Sequence, residues 1–220
     1  MSASEATEFR TAYHDHVRHD VLPHIPAAGG QLLDLGGGIG GTAAAAREAG
    51  LVERVGVADL VANDENPTGL DFRYQGNLED LEFIRGIAAK EGKFNVILAL
   101  DILEHLVDPW AVVETLHQSL VPGGYLVTSI PNIRNYRALG PLLLKNRFDY
   151  QDAGILDRTH LRFFVKSTAV ALTASSGLEV KKVVPSPSGG GKIRLFRKAT
   201  LGLLNSFTDR QYIVVAQNAG

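Results

Sequence analysis

Residues 31–59 read QLLDLGGGIGGTAAAAREAGLVERVGVAD. QLLDL has the length and apolarity of a buried strand, and the glycine-rich run GGGIGG at 36–41 follows it directly. TAAAAREAG is a strong helix former with Gly50 as its stop. RVGVAD is a second buried strand, ending on Asp59. A strand, a glycine turn, a helix and a second strand, in that order, are the signature of a parallel α/β sheet.

Working outward, residues 8–25 read as an N-terminal helix that stops at Pro23, because proline disfavours helix in the residue before it. Downstream of Asp59, NDENPTG is turn chemistry that leaves little room for a full crossover helix, and FRYQ is a weak third strand. LEDLEFIRGIAAKEG is an amphipathic helix, and FNVILAL is a continuous apolar run suited to a central parallel strand. Pro109 opens a helix through Leu120, with Asp108 as its better N-cap than Asp101 or Glu104. Pro122-Gly123-Gly124 turns into YLVTSI, a fifth strand. Residues 131–166, rich in aromatic and basic side chains, break the alternation and read as an elaboration above the strand ends. STAVALTASSG resumes a helix and LEVKKVV a sixth strand; PSPSGGG is a flexible connection, KIRLFRKATLGLLNSF a helix and QYIVVAQ a last strand. The order of the final elements permits an antiparallel edge strand.

Composition narrows the function. The chain has 220 residues, 45% apolar and 21% charged, which suits one globular domain with a sizeable core. Its 22 Lys+Arg against 24 Asp+Glu leave a formal charge of −2, so no global field draws it to nucleic acid or anionic lipid. With no cysteine, disulfides, thiolate metal sites and a cysteine nucleophile are excluded. The first residues lack a signal-peptide pattern and no apolar run approaches a bilayer span, so the expected location is cytoplasmic.

The glycine turn permits two parsings. Gly36, Gly38 and Gly41 match the dinucleotide pattern G-x-G-x-x-G, whereas Gly36, Gly38 and Gly40 match G-x-G-x-G. Asp59 supports either, since an acid ending the second strand can accept both ribose hydroxyls. Asp34 discriminates: it sets a carboxylate at the mouth of the turn, where the pyrophosphate of a dinucleotide would be repelled. A ligand with an ammonium and a sulfonium fits better there. The other use of Asp34 is to fix the turn by accepting backbone N–H groups.

These stretches resemble the class I S-adenosylmethionine-dependent methyltransferases. The residues that carry the likeness are LLDLGGGIGG (32–41), VGVAD (55–59), FNVILALDILEHLVDPW (94–110) and LVPGGYLVTSIPN (120–132). It continues through RFDYQDAGILDRTHLRFF (147–164) and QYIVVAQ (211–217), where it looks like a bacterial subgroup associated with glycan or natural-product assembly. The resemblance implies a doubly wound, seven-stranded, mostly parallel α/β sheet with an antiparallel last strand. It implies one domain over 1–220, with a helical cap at 1–28, an acceptor lid at 131–166 and an insert at 185–209. S-adenosylmethionine is the implied cofactor, held by Asp34, Gly36, Gly38 and Gly40, with Asp59 on the ribose and Leu100 and Asp101 beside the methionine. Asn77, or the backbone of Leu78, stands where members often carry an acid for the adenine, and Tyr13 is the candidate to cover the cleft. The chain departs from the pattern at Gly37, where many members have cysteine, and in the shortened segment between the second and third strands.

Methyl transfer from a sulfonium is an in-line displacement, and a hydroxyl acceptor also needs a base. His105, following Glu104 after the fourth strand, suits that work, or else orders the loop. His160 stands three residues after Asp157, a spacing that on a helix lets the carboxylate orient the imidazole. Asn132, Tyr136, Arg147, Tyr150 and Arg158 are the candidates to shape the acceptor pocket, and arginines there favour a carboxylate, phosphate or sugar-nucleotide acceptor. Asp101, Glu104, His105 and His160 could together ligate a hard cation, but such sites need several convergent oxygens, and no metal is expected. The expected partner is a small-molecule acceptor, with no nucleic acid and no membrane. The basic amphipathic stretch 192–207 permits a membrane-surface role, but its apolar positions form no clean stripe, so it is expected to pack on the domain or on a second copy. The chain therefore reads as a methyltransferase acting on a hydroxyl, less readily on an amine. The rivals are an NAD-dependent oxidoreductase and a binding protein that keeps the cofactor but performs no transfer.

Overall fold

The computed structural model describes residues 17–61 and 69–220. Its framework is a seven-stranded sheet: β1 (Gln31–Leu35), β2 (Arg54–Asp59), β3 (Phe72–Gln75), β4 (Phe94–Leu100), β5 (Leu120–Pro131), β6 (Glu179–Pro187) and β7 (Asp209–Gln217). The spatial order is β3-β2-β1-β4-β5-β7-β6, parallel from β3 to β5 and antiparallel on both sides of β7. The helices are α1 (Gly41–Glu48), α2 (Leu81–Glu91), α3 (Pro109–Gln118), α4 (Tyr136–Lys145), α5 (Lys166–Thr173) and α6 (Gly191–Ala199).

Strand periodicity divides the core between the two faces of the sheet. Leu33, Leu35, Ile97 and Ala99 face one apolar cluster, while their neighbours Leu32, Val96 and Leu98 face the other. Strands buried on both faces need the continuous apolar composition that made FNVILAL legible. Asp80 caps α2 and Asp108 caps α3, each accepting backbone N–H groups of the first turn.

Three expectations are corrected. The last strand is not an edge: β7 lies between β5 and β6, and β6 forms the border. Burial explains the exchange, because YIVVA in β7 is buried throughout while the lysines of β6 remain exposed. The expected helix over 8–25 falls largely outside the described residues, and within them the chain makes only a turn and a single 3₁₀ turn at Leu22–His24. The helix expected through 192–207 ends at Ala199, because Leu201 and Gly202 adopt left-handed backbone, with φ of 48° and 82°. The shortened segment between β2 and β3 includes residues 62–68, which lie outside the described ones.

Candidate active site

The backbone selects one parsing of the glycine turn. Gly36, Gly38 and Gly40 have φ of 74°, 57° and 84°, whereas Gly41 is simply the first residue of α1. An L side chain is strained in that region of backbone space. At Gly40 a Cβ would also meet Leu70 Cδ1 at 2.5 Å. The positions that require glycine are thus those of G-x-G-x-G.

Two carboxylates flank this turn in opposite states. Asp59, at the end of β2, accepts the Gly38 N–H at 2.9 Å and the Val61 N–H at 2.9 Å. Asp34, inside β1, is buried, and its Oδ1 has no hydrogen-bond partner among the described residues. Burial, reinforced by the charge of Asp59, pushes the Asp34 carboxyl up to about 7. Such an orphaned acid lowers its energy by receiving a cation.

Asp34 opens into a cavity of about 1280 Å³. That exceeds the range of roughly 300–1,000 Å³ usual for one small ligand, so there is room for two reactants. One wall comes from Arg18, Gly36, Gly37, Thr42, Leu100 and Asp101, and the other from the segment after β5, including Tyr136, Arg137, Pro141, Ile155, Asp157 and His160. Arg18 was not foreseen from sequence. Its guanidinium bonds Asp101 and lies 3.2 Å from Ser129 Oγ, and Ser129 donates to Asp101 Oδ1 at 2.7 Å. Asp101 itself has φ of 52°, an uncommon conformation for a non-glycine residue and one that tends to mark functional sites.

Glu104 lies at the floor of the cavity, 1% exposed, with neither carboxylate oxygen hydrogen-bonded among the described residues. Burial, and then the charge of Asp101, raise its carboxyl well above the usual range. Its carbonyl oxygen accepts the N–H groups of Leu161 and Arg162 at 2.8 and 3.0 Å, which fixes the returning chain and brings His160 over it. His160 Nε2 then stands 3.9 Å from Glu104 Oε1. His160 Nδ1 lies 3.1 Å from the Ile155 carbonyl, which can only accept, so the proton of the neutral ring is on Nδ1 and the lone pair on Nε2.

His105 is brought to the same cluster by a different route from the one expected. Asp157 does not orient His160; its carboxylate accepts from the Thr159 hydroxyl at 2.6 Å, and that oxygen lies 3.0 Å from His105 Nδ1. The reason is local: residues 157–160 form a turn, not a helix, so the i, i+3 side chains diverge. His105 meets His160 edge to face with ring centroids 4.6 Å apart, and burial together with His160 lowers its pKa. The ligand atoms of Glu104, His105 and His160 all lie within 4.8 Å of one another. These groups are of a kind that also binds cations.

The remaining expected residues separate clearly. Tyr136 lines the cavity. Arg147 pairs with Asp149, Arg158 pairs with Asp152, and Tyr150 packs on Phe148, all at the exposed surface. Asn132 is fully buried and donates to the carbonyls of Ser206 and Asp209, so it pins the start of the segment after β5 and does not face the cavity. Asn77 spends its carbonyl oxygen on the Glu79 N–H, and Leu78 is part of the core. Tyr13 lies outside the described residues.

A family model described as a methyltransferase domain matches residues 7–183. The chain belongs to the class I S-adenosylmethionine-dependent methyltransferases. Among curated relatives, a ubiquinone biosynthesis O-methyltransferase of Azotobacter vinelandii is 34% identical over 122 residues, covering 52% of this chain and 50% of that protein. A protein of the same name from Burkholderia lata is 28% identical over 192 residues, 78% of each chain. The chain spans about half the length of several of the curated relatives it matches. Among solved structures, a SAM dependent methyltransferase from Archaeoglobus fulgidus superposes with a TM-score of 0.60 at 15% identity over 90% of each chain. One from Mesorhizobium loti gives 0.56 at 19% identity, covering 90% of this chain and 96% of that one. These structures agree with the sheet described above.

The class I cofactor, S-adenosylmethionine, fits the residues present. An amino-acid end carrying both ammonium and carboxylate matches an orphaned buried acid, Asp34, beside a guanidinium, Arg18. A pyrophosphate would meet Asp34 as a like charge. Neither the backbone parsing nor the charge at the turn favours the dinucleotide reading.

Proposed function

We propose that this methyltransferase moves a methyl group to a hydroxyl of a small molecule, with His160 as the base. The observation that carries the proposal is His160 at the cavity wall, with Nδ1 held by the Ile155 carbonyl and Nε2 left free to accept, 3.9 Å from the buried Glu104. The likeness to ubiquinone biosynthesis O-methyltransferases supports oxygen over nitrogen. Residues 131–166 serve as the acceptor-side wall of a single domain, and Arg137 and Arg210 at the cavity lining favour an acceptor bearing a carboxylate or phosphate.

Bound S-adenosylmethionine supplies an electrophilic methyl carbon on a positively charged sulfur. In the proposed assignment Asp34 and Arg18 hold its amino-acid end, Asp59 accepts from its ribose hydroxyls, and Gly36, Gly38 and Gly40 let it approach the backbone. Asp101, already bonded to Arg18 and Ser129, keeps that guanidinium aimed at the cavity. The acceptor hydroxyl gives its proton to His160 Nε2 as its oxygen forms the new bond to carbon, and the electron pair of the broken carbon–sulfur bond stays on sulfur. The Glu104 carboxyl, 3.9 Å from Nε2, faces the imidazolium that results. His105, held through Thr159 by Asp157, packs edge-on against His160 and keeps that ring in place. Holding the reactants in line inside a walled cavity supplies much of the remaining rate enhancement.

The test is methyl transfer from labelled S-adenosylmethionine to matched acceptors, 3,4-dihydroxybenzoate and 3,4-diaminobenzoate, with products identified by mass. Label on oxygen of the dihydroxy compound, lost in a His160→Gln variant, is the expected result. Label only on nitrogen, with no dependence on His160, would overturn it.

A further inference from the structure

The helix α6 and the turn after it are attached to the domain along one side only. Ile193, Arg197 and Thr200, at i, i+4 and i+7, are the partly covered positions, and none of the nine residues of α6 is buried. Arg197 is the anchor, donating to Asp209 Oδ1 at 2.6 Å and to Thr208 Oγ1 at 2.9 Å. The opposite side presents Leu195, 69% exposed, with Phe196 at the flank, and the turn adds Leu201 and Leu203 at 88% and 84%. Leu201 is held in left-handed backbone, a cost that burial of its side chain within the domain does not repay. Packing on the domain, as expected from sequence, is therefore not what these leucines do.

Charge identifies what covers them. Between Glu179 and Asp209 the sequence contains no acidic residue, while Lys181, Lys182, Lys192, Arg194, Arg197 and Lys198 are basic, in a chain whose net charge is −2. Lys192, Arg194 and Lys198 are exposed on α6 beside the apolar side chains. A helix with apolar side chains outward and lysine and arginine alongside is the form that lies in a bilayer interface. A second copy of this chain fits less well, because a two-fold contact would set this basic surface against itself. We propose that α6 and residues 200–204 dock this protein on the surface of an anionic lipid bilayer. The site lies beside the cavity: Asp209, which anchors Arg197, also accepts through its carbonyl from Asn135, the N-cap of α4, and α4 lines the cavity with Tyr136, Arg137 and Pro141. The sequence shows the basic amphipathic character of 192–207 but favours packing over a membrane role, because its apolar positions form no single helical stripe.

The experiment is co-sedimentation of the full chain with phosphatidylcholine vesicles, with and without phosphatidylglycerol. Binding to the anionic vesicles that weakens with added salt is expected. Lys192→Gln and Lys198→Gln should each lower the partition about fivefold, following the usual contribution of one basic residue near such a surface. Leu201→Asp should abolish binding without changing the melting temperature or the affinity for S-adenosylhomocysteine. Sedimentation with neither vesicle, or binding undiminished by Leu201→Asp, would overturn the proposal. So would a concentration-dependent dimer that Leu201→Asp dissociates in the absence of vesicle binding, since that would assign the surface to a second copy.

Discussion

Replacing His160 by alanine is expected to lower turnover by about 10²–10⁴-fold, the usual contribution of a positioned general base. The dissociation constant for S-adenosylhomocysteine should be unchanged, since His160 belongs to the wall opposite the glycine turn. His160→Gln, which keeps a donor for the Ile155 carbonyl but offers no basic nitrogen, should be as inactive as alanine. Full activity in the glutamine variant would show that the ring only fills space.

The second large effect concerns Asp34. Its folded-state carboxyl titrates at about 7 against an ordinary 3.8, so between those values the folded chain holds a proton that the unfolded chain has lost. The contribution of Asp34 to stability without ligand is therefore fully present below about pH 4, is lost as pH rises towards 7 and changes no further above it. At about 1.4 kcal/mol per pH unit, the gap between 3.8 and about 7 bounds this cost at about 4 kcal/mol. Asp34→Asn removes it, so the variant should be more stable than the parent at pH 8 and no more stable at pH 4. The same change deletes the acceptor for the ligand's ammonium, and affinity for S-adenosylmethionine should fall at least tenfold, which is about 1.4 kcal/mol. Urea unfolding at the two pH values and calorimetric titration check both halves. An asparagine variant that is less stable at pH 8 and binds normally would mean that Asp34 merely fixes the turn.

Much of the frame was legible because local chemistry and global burial agree there. QLLDL, RVGVAD and FNVILAL are apolar on both faces since both faces are covered, and Asp80, Asp108 and the glycines of the turn sit where caps and left-handed backbone are needed. The position of β7 was not legible. Which neighbour a strand pairs with depends on the competition between the apolar β7 and the lysine-bearing β6, a comparison that no window of sequence contains. At the site, Asp34, Leu100, Asp101, Tyr136, Asp157 and His160, singled out in the sequence, line one cavity, and Gly36, Gly38 and Gly40 form the turn beside it. The spacing of Asp157 and His160 misled because it assumed a helix where the chain turns, and Thr159, which carries the contact to His105 instead, has no signal of its own. Arg147 and Arg158 satisfy nearby aspartates that sequence order alone does not match to them. Arg18 was hidden by its place in a stretch read as helix, and only the fold brings it to Asp101, 83 residues further on.

The account rests on a carboxylate at a G-x-G-x-G turn that selects a sulfonium amino acid over a dinucleotide. The most direct measurement is a thermal-shift comparison of S-adenosylmethionine, S-adenosylhomocysteine, NAD and NADP at equal concentration. A ligand at about 100 times its dissociation constant adds about 2.7 kcal/mol, enough to raise the midpoint of a chain this size by several degrees. Stabilisation by the two adenosyl-sulfur ligands and by neither dinucleotide is the predicted result. Stabilisation by NAD or NADP alone would contradict the assignment of the turn, and the roles given to Asp34, Arg18 and Asp59 would fall with it.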